Sequence, residues 1–428
     1  MARAQASDTG ARGASDAGAR GVNSTGARGV SGVGARGKSD TGSCGASGVA
    51  SDASVSKGRM GLDASGAGAP KGHVALGMSG GVDSSAAAVV LMADGWEVVG
   101  VTCVFHDDAR SEAAVRDAAA VCRRLGMPHM VRDSTAVFQR CVVEPFVRDY
   151  ATGLTPSPCV GCNATCKVPE LLAAADELGC SHVATGHYAR IAQRKDDGRF
   201  LLRTALDDAK DQSYMLALLT QEQLSRLLLP LGGATKLAVR AMAEDAGLPV
   251  AQKPESQDIC FVEGSYADFL ESRGVAGTPG EVVDAAGRVL GEHQGLFRYT
   301  VGQRKGLGIG GAPEPYFVVE KRPDENRLVV GFKDEAFIRG VEVGSVRWQS
   351  IAPPEEPLPC MVKLRYRSIP CACTVEPRAD GGAFVRLESP QPTTAPGQCA
   401  VFYAGTTVLG GGVIAGVARG ADAPAGVR

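Results

Sequence analysis

The sequence predicts an α/β protein in which a doubly wound parallel sheet precedes a small, mainly helical connecting domain and a C-terminal β-barrel. Three observations predict this arrangement. Short apolar runs alternate with helical patterns from about residue 73, which favours a parallel sheet covered by helices. Helical periodicity dominates from about 220 to 290, and short alternating runs with Gly and Pro turns follow from about 295, as in a closed barrel. The predicted segments are a tail at 1–70 and domains at 71–219, 220–294 and 295–428.

Composition and charge restrict the class of protein. The chain has 428 residues, 44% of them apolar and 21% charged, which is ordinary for a globular protein of two or three domains. A net charge of −2 argues against non-specific nucleic-acid binding, so any nucleic-acid partner must be held by local patches. No signal peptide and no apolar run of about 18 residues is found, so we expect no membrane association. We therefore expect a reducing cytoplasm, where clustered cysteines are metal ligands or catalysts more often than disulfides.

The first seventy residues differ from the rest of the chain. They consist mainly of Gly, Ala, Ser, Asp and Arg, with an eight-residue repeat that begins at Ser7 and ends in a weaker copy at Ser39. No copy can bury an apolar face, so we predict disorder. A Gly/Arg-rich arm that touches RNA is one interpretation. A tolerated tail, or a start codon assigned too far upstream, is the favoured one.

A glycine-rich turn follows the first predicted strand. The strand pattern HVALGMS leads into SGGVDSS, residues 79–85, and then into a helix that ends at Gly95. Backbone N–H groups of such a turn, together with the helix dipole, form an anion site. Gly80 and Gly81 permit a close approach of phosphate, and serine hydroxyls add donors. The lysine of a Walker-type loop is absent, and an ordinary βα turn is the alternative.

The next segments continue the α/β pattern. Residues 96–105 and 128–133 have strand patterns, and 111–126 and 135–153 have helical patterns. In a parallel sheet the ligand binds at the carboxyl ends of the strands, which is where the glycine-rich turn falls.

Three cysteines lie within eight residues in TPSPCVGCNATCK, residues 155–167. Structural zinc would require a second close pair, and Cys371 and Cys373 should point to opposite faces of a strand. An iron–sulfur cluster on Cys159, Cys162 and Cys260 stays open as an alternative. We interpret the isolated thiols as small hydrophobic residues; they are Cys122, Cys141, Cys166 and Cys180.

The glycine-rich turn resembles the signature of the PP-loop family, the N-type ATP pyrophosphatases. Further strings narrow the resemblance to the bacterial tRNA-specific 2-thiouridylases, and they keep the family's order from residue 73 to the end of the chain. The strings are GMSGGVDSS, TPSPCVGCN followed by Lys167, ATGHYAR, KDQSYML, SQDICFV and YTVGQRKGLGIGG.

The resemblance implies a site for ATP and Mg²⁺. Asp83 would help to place Mg²⁺, Cys103 would lie beside adenine through a backbone contact, and Gly186 would border the nucleotide. The loop residues that would hold ATP are Gly77, Met78, Ser79, Gly80, Gly81, Val82 and Ser84.

The resemblance also implies roles for two thiols. Cys162, which precedes Asn, would be the catalytic thiol, and Cys260 would carry a persulfide received from a donor protein. ATP would adenylate the 2-oxygen of the wobble uridine, sulfur would replace that oxygen, and a disulfide between the two residues would be the by-product. Thiolates are suitable nucleophiles near neutral pH. Cys159 departs from the pattern, because well-known members carry Asp there. It is a spare thiol, a proton relay or a ligand.

The tRNA contacts implied by the resemblance fall in several segments. For His187 the alternative is a structural histidine, and for the KDQ string an exposed turn. On a strand at 362–368, three cations would share a face that fits phosphates, or that is simply solvated. Gln398 could hydrogen-bond the edge of a flipped base. The implied contacts are Ser157, Pro158, Cys159, His187, Lys210, Asp211, Gln212, Arg365, Tyr366 and Gln398.

Two other functions are consistent with parts of the sequence. A PP-loop adenylating ligase that uses ammonia would need neither Cys162 nor Cys260. A nucleotide-gated RNA-binding protein would bind tRNA without releasing pyrophosphate.

Overall fold

The computed structural model describes residues 71–254 and 259–420. The predicted tail and part of the SQDICFV string lie outside these ranges. Among the described residues, no helix is long and apolar enough to span a membrane. The α-helices are α1 Val82–Ala93, α2 Ala109–Leu125, α3 Thr135–Phe138, α4 Glu144–Ala151, α5 Pro158–Cys162, α6 Val168–Glu177, α7 Gln221–Arg226, α8 Lys236–Asp245 and α9 Tyr266–Ser272.

Shorter helical segments join some of these elements. A π-helix at Gln139–Val143 connects α3 to α4, and a second at Asn163–Lys167 connects α5 to α6. Single 3₁₀ turns occur at Ser213–Leu216, Leu296–Arg298, Pro323–Glu325 and Lys333–Ala336.

The strands form three sheets. They are β1 His73–Gly77, β2 Glu97–Val104, β3 His129–Asp133, β4 His182–Ala184, β5 Ala189–Gln193, β6 Phe200–Thr204, β7 Leu227–Leu228, β8 Gly280–Val283, β9 Val289–His293, β10 Phe317–Arg322, β11 Arg327–Gly331, β12 Phe337–Trp348, β13 Leu358–Lys363, β14 Cys371–Pro377, β15 Ala383–Pro392, β16 Cys399–Ala404 and β17 Thr407–Ala418.

The first sheet is parallel throughout and has the order β3-β2-β1-β4-β7. Its central strand β1 is buried on both faces. Val74 and Leu76 pack with α1, α2 and α8, whereas Ala75 packs with α6 on the other side. The doubly wound prediction is therefore confirmed, and the reversal of strand order beside β1 puts a crevice at its carboxyl end.

Local signals explain where the helices start and stop. Asp108 caps α2 by accepting a 2.7 Å hydrogen bond from the backbone N–H of Ser111, and Gly126 ends it in the left-handed region with φ +70°. Thr220 caps α7 in the same way, and the pair with Gln223 forms a capping box.

The middle of the chain is helical first and then β-structured. The helices predicted between 220 and 290 are present as α7, α8 and α9. The hairpin β8–β9 follows, which the sequence analysis did not predict, and it pairs with the hairpin β10–β11 in the order β10-β11-β8-β9. A tight turn explains the first hairpin, since the Asp284 carboxylate accepts from the N–H groups of Ala286 and Arg288.

The C-terminal strands close into the predicted barrel. Its order is β12-β15-β14-β13-β16-β17, and β17 returns to pair with β12. The hairpin β5–β6, from the first half of the chain, adds to β17 through the pair Thr407 and Arg203.

One strand prediction in the barrel is wrong. Strand β13 ends at Lys363, and the following residues form a turn in which Ser368 N–H donates to Arg365 O. The three cations Lys363, Arg365 and Arg367 therefore do not share a strand face. The reason is the Ser-Ile-Pro sequence after them, which favours a turn over a continued strand.

Candidate active site

The glycine-rich loop lies between β1 and α1, as predicted. Gly80 has φ +66°, and a Cβ there would lie 2.6 Å from the carbonyl oxygen of Ala114, so only glycine fits. The serine hydroxyls also stabilise the loop itself. Ser84 Oγ accepts from Ser79 N–H at 3.2 Å, and Ser85 Oγ donates to Gly81 O at 2.8 Å. The loop is thus held in one shape with its backbone at the crevice.

The Asp83 carboxylate lies on the first turn of α1 and is 35% exposed. It accepts hydrogen bonds from Tyr188 Oη at 2.7 Å and from Lys236 Nζ at 2.6 Å. Lys236 is the first residue of α8, whose cap is Thr235. A cation and a phenol therefore lie beside the predicted magnesium ligand.

A second lysine supports the loop from another direction. Lys253 Nζ donates to Gly80 O at 2.9 Å and pairs with Asp117 at 2.6 Å. Sequence analysis missed Lys236 and Lys253, which lie 153 and 173 positions from their loop partners. No local motif marks either residue, so only the fold identifies them.

Gly186 packs directly against this loop. A Cβ at Gly186 would lie 2.8 Å from both Asp83 C and Ser84 N, which are backbone atoms. Cys103 lies farther along β2, opposite Arg132 in register. Burial raises the pKa of the Cys103 thiol to about 11, so this thiol stays protonated. Contacts of Gly186 and Cys103 with a nucleotide stay predictions.

The three cysteines of residues 155–167 lie on α5 and the π-helix that follows it. Cys159 is exposed, Cys162 is 5% exposed and Cys166 is fully buried. The apolar cluster around Cys162 includes Phe146 and Phe261. The extra residue of a π-helix turn is common at functional sites, and here it separates Cys162 from α6.

Cys162 is a thiol whose surroundings favour the ionised form. The Cys166 thiol donates a hydrogen bond to it, burial opposes ionisation, and the nearby Lys167 ammonium favours it, so the pKa of Cys162 is lowered overall. The pKa of Cys166 is raised by the same hydrogen bond, and it remains the donor. The interpretation of Cys166 as an isolated small hydrophobic residue misses this contact.

Cys159 and Cys260 line the same cleft. Both side chains are exposed, yet the surrounding protein is sufficient to raise the pKa of Cys159, and that of Cys260 to about 11. Both interact electrostatically with Cys162 and with Lys167. For Lys167 the cost of burial opposes the charged form, but the thiols around it raise its pKa overall. The Lys167 ammonium therefore lies near four thiols, those of Cys159, Cys162, Cys166 and Cys260.

His187 connects the two parts of the site. Its Nδ1 lies 2.8 Å from Thr185 Oγ1, and its ring lies near Lys167. Burial, with a smaller effect of Lys167, lowers the pKa of His187 to about 3, so the imidazole is neutral. Because Gly186 abuts the glycine-rich loop, the pair of residues 186–187 spans from the loop to the thiols.

The KDQ residues lie at the edge of this cleft, but two of them are bonded within the protein. The Asp211 carboxylate accepts from Ala205 N–H at 3.0 Å and from Ser213 Oγ at 2.8 Å. Gln212 Oε1 accepts from Tyr188 N–H at 2.9 Å. These side chains stabilise the loop beside Tyr188, the residue whose hydroxyl donates to Asp83. Their contact with tRNA stays a prediction.

The turn after β13 brings the barrel close to Cys159 on α5. The ring of Tyr366 lies 5.9 Å from that of Tyr214, with Lys363 Nζ 5.8 Å above it. Tyr366 also interacts electrostatically with Asp211, Lys210 and Cys159. Four predicted tRNA contacts from three segments therefore lie together.

Arg365 lies elsewhere. Its guanidinium donates to Val301 O at 2.9 Å and to Thr393 O at 3.0 Å, both inside the protein. This arrangement fits a structural tie between segments rather than an exposed phosphate contact.

Gln398 supports the chain that leads into α5. Its Nε2 donates to Thr155 O at 2.9 Å, and Thr155 N–H donates to Pro396 O at 2.8 Å. Lys321 lies on β10 of the four-stranded sheet, and its Nζ donates to Thr155 Oγ1 at 3.2 Å and to Tyr299 O at 3.2 Å. We call these contacts the Thr155 clamp. Burial lowers the pKa of Lys321 to about 8.

The iron–sulfur cluster on Cys159, Cys162 and Cys260 stays a prediction. In the described part of the chain, no three His, Cys, Asp or Glu side chains converge as they would around a metal ion. The thiols of Cys159, Cys162 and Cys260 share a cleft and a cation without forming such a set.

Comparison with known proteins identifies three consecutive family models. The model described as "tRNA methyl transferase HUP domain" matches residues 72–264, "tRNA methyl transferase PRC-barrel domain" matches 267–332, and "Aminomethyltransferase beta-barrel domain" matches 338–414. These matches follow the parallel sheet with its helices, the four-stranded sheet and the closed barrel.

Curated relatives match over nearly their whole length. The "tRNA-specific 2-thiouridylase MnmA" of Nostoc sp. is 46% identical over 347 residues, which is 80% of this chain and 98% of the relative. The protein of the same name from Chloroflexus aurantiacus is 47% identical over 354 residues, again 80% of this chain and 98% of the relative. Among solved structures, the "U34-tRNA thiolase NcsA" of Methanococcus maripaludis is 18% identical, and the match covers 48% of this chain and 64% of that one with a TM-score of 0.30.

The two sets of names describe different chemistry. The family models refer to methyl transfer, whereas the full-length relatives are named for thiolation. A lowered thiol pKa beside a second thiol suits sulfur transfer.

Proposed function

The chain belongs to the tRNA-specific 2-thiouridylase family, an enzyme that forms 2-thiouridine in tRNA with ATP, and we propose that its substrate is the wobble uridine, position 34. The observation that carries this proposal is the proximity of the glycine-rich loop to an activated thiol. Residues 186–187 contact the loop through Gly186 and approach Lys167 through His187. A base held between them would face ATP on one side and Cys162 on the other.

The loop supports the activation step. Its backbone would hold the phosphates of ATP, so that the 2-oxygen of uracil attacks the α-phosphorus and pyrophosphate leaves. The partly exposed Asp83 carboxylate fits a Mg²⁺ site of the usual kind, in which one carboxylate and phosphate oxygens share the ion. When bound, Mg²⁺ would neutralise phosphate charge. Lys236, already beside Asp83, lies where it could contact the same phosphates.

The thiols support the replacement step. The terminal sulfur of a persulfide on Cys260 attacks carbon 2 of the adenylated base, and AMP leaves with the oxygen. The Cys162 thiolate then attacks the Sγ of Cys260, which forms the Cys162–Cys260 disulfide and leaves sulfur on carbon 2. The lowered pKa of Cys162 and the exposure of Cys260 fit these separate roles, since one ionises and the other receives sulfur from outside.

The partners follow from this chemistry. An exposed Cys260 can be loaded by a protein that carries a persulfide. Tyr366, Lys210 and Cys159 form a surface at the cleft that fits a nucleotide and its phosphate. We propose a cytoplasmic location, because an active site of free thiols needs a reducing compartment.

Nucleoside mass spectrometry tests the proposal directly. Unmodified tRNA is incubated with the protein, Mg-ATP and a persulfide donor, beside the Cys162→Ser variant and a reaction without ATP. We expect 2-thiouridine only with the unaltered protein and ATP. Full activity in Cys162→Ser or Cys260→Ala would favour an ammonia-using ligase, and ATP-dependent tRNA binding without pyrophosphate release would favour an RNA-binding protein.

A further inference from the structure

We propose that Cys360 and Cys373, on adjacent strands of the barrel, form a redox-sensitive dithiol that a hydroperoxide converts into a reversible disulfide. The site lies in a part of the chain whose thiols the proposed thiolation chemistry does not use. The disulfide closes the hairpin β13–β14, whose turn carries Tyr366. This inference concerns the barrel alone and does not depend on the proposed function.

The register of the two strands brings the thiols together. Cys360 on β13 lies directly opposite Cys373 on β14, and the two Sγ atoms are 3.7 Å apart. Directly opposed residues of antiparallel strands have Cα atoms about 4.5 to 5.5 Å apart and side chains on the same face. Disulfides span Cα distances of about 4.4 to 6.8 Å, so the bond can form without a change of register.

A third cysteine shows why the register matters. Strand residues two positions apart share a face, so the expectation that Cys371 and Cys373 point to opposite faces is wrong, and both pack in the apolar cluster of the barrel. Cys371, however, lies opposite Val362, and its thiol donates to Val362 O at 3.6 Å. The pairing across the strands therefore selects Cys373 as the partner of Cys360.

Burial gives the two thiols different roles. Cys360 is partly exposed, whereas Cys373 is fully buried, so a small oxidant reaches Cys360 first. A hydrogen bond from the Cys373 thiol lowers the pKa of Cys360 although burial opposes this, and the same bond raises the pKa of Cys373. Cys360 is therefore the attacking thiolate, and Cys373 is the thiol that resolves the intermediate.

The oxidation takes two steps. The Cys360 thiolate attacks an oxygen of the hydroperoxide, the O–O bond breaks, and the other oxygen leaves as alkoxide or hydroxide and takes up a proton. This step leaves a sulfenic acid on Cys360. The Cys373 sulfur then attacks the Sγ of Cys360, the S–O bond breaks, and the hydroxide leaves as water with the proton of the Cys373 thiol. The two thiols lose two electrons in total, and an external dithiol returns them with two protons.

The disulfide affects the turn between the two strands. Residues 364–370 connect β13 to β14, and the ring of Tyr366 in this turn lies 5.9 Å from that of Tyr214. A covalent link between residues 360 and 373 prevents the strands from separating at that point. Local opening of the turn should therefore become rarer, which protects its backbone N–H groups from exchange.

Peptide mapping after mild oxidation tests the proposal. The full-length protein is reduced, freed of reductant, treated with hydrogen peroxide, alkylated, and digested with trypsin without further reduction. We expect a disulfide between peptides 348–363 and 368–378, and its loss after treatment with dithiothreitol. Hydrogen–deuterium exchange in residues 364–370 should be slower in the oxidised protein than in the reduced one.

Matched variants identify the partner. Cys360→Ser and Cys373→Ser should each lose the link between the peptides, whereas Cys371→Ser should retain it. Cys360 is partly exposed, so its serine variant keeps the experiment decisive even if a serine at the buried position 373 unfolds the barrel.

Three results would overturn the proposal. The first is that peroxide produces no link between the two peptides, and the second is a link that persists in Cys373→Ser or disappears in Cys371→Ser. The third is oxidation of Cys360 to a sulfinic acid without a disulfide. Exchange in residues 364–370 that is equal in the oxidised and reduced proteins would contradict the effect on the turn.

Discussion

Cys166 lies one helical turn from Cys162 and donates its thiol hydrogen to it. In Cys166→Ala this donor is lost, so the pKa of Cys162 should rise and less thiolate should exist at neutral pH. We expect alkylation of Cys162 by iodoacetamide at neutral pH to slow about tenfold, because a hydrogen bond to a charged group contributes roughly 1.5 kcal/mol. Mass spectrometry of peptide 149–167 measures that rate.

Cys166→Ser is the matched control, since its hydroxyl retains a donor at nearly the same position. It should keep most of the alkylation rate. Equal rates in the alanine variant and the unaltered protein would contradict the assignment of Cys166 as donor.

A second single residue, Lys321, makes the folding stability depend on pH. Burial lowers its pKa from 10.5 to about 8, so the unfolded chain retains this proton at pH values where the folded chain has released it. The charged form therefore costs folding stability, fully below about pH 8, and the cost fades as the pH rises towards 10.5. Lys321→Met should therefore have a higher free energy of unfolding than the unaltered protein at pH 7. This gain should be on the order of 2 kcal/mol larger at pH 7 than at pH 10.

Urea unfolding at both pH values measures this difference. Lys333→Met, which changes an exposed lysine nearby, should show the same small effect at pH 7 and pH 10. A stability difference for Lys321→Met that does not vary with pH would contradict the explanation. The thiolation rate of Lys321→Met should fall at neutral pH even if the fold gains stability, because the contact with Thr155 is lost.

At the scale of elements, the approach of Gly186 to the loop depends on the absence of a side chain. In Gly186→Ala the new methyl would meet backbone atoms of Asp83 and Ser84 at 2.8 Å, so the two segments must separate. We expect the KM for ATP to rise about tenfold, since 1.4 kcal/mol of lost positioning corresponds to that factor. Steady-state pyrophosphate release measures it.

Gly233→Ala is the control, because a Cβ there has no atom within 4 Å and the backbone is not in the left-handed region. It should leave the KM for ATP within about twofold. An unaltered KM in Gly186→Ala would remove Gly186 from the nucleotide site.

Elements show where sequence patterns are sufficient and where they are not. The runs that became β1, β2 and β3 are short, apolar and bounded by turns, so their type could be predicted. After Lys363, cationic residues alternate with large apolar ones, which suggested a strand. Arg365 instead donates to the carbonyl groups of Val301 and Thr393, which are distant from it in sequence. A pattern of neighbours carries no information about such partners.

At the scale of the whole molecule, the Thr155 clamp joins all three parts of the chain ahead of α5. Gln398→Leu removes the barrel's side-chain contact with Thr155 O. We expect the thiolation rate to fall about tenfold, because a small displacement of a reactive group carries such a cost. Hydrogen–deuterium exchange should quicken in residues 154–158, where Thr155 N–H is now bonded to Pro396 O.

Gln391→Leu is the control, since Gln391 bonds only to the neighbouring Ser389 in the described contacts. It should change neither rate nor exchange. A Gln398→Leu protein with normal exchange but slow thiolation would mean that Gln398 acts on the base alone.

The fold of the whole molecule brings together site residues that the sequence alone could not connect. Cys162 and the loop were identifiable because each lies in a compact motif. Lys236 and Lys253 approach Asp83 and Gly80 from helices far along the chain, and only closure of the sheet and its helices brings them there. Likewise, nothing local indicates that Lys321 would support Thr155.

The pairing of β6 with β17 has a consequence for how the protein is made. Arg203 and Thr407 are about 200 positions apart, so the hairpin β5–β6 waits for a strand that the ribosome completes much later. At roughly 10 residues per second, that wait lasts about 20 s. During this time the hairpin β5–β6 exposes unpaired backbone groups, and such edges promote association between chains. Nascent chains shortened before β17 should therefore aggregate or recruit chaperones, while complete chains should escape.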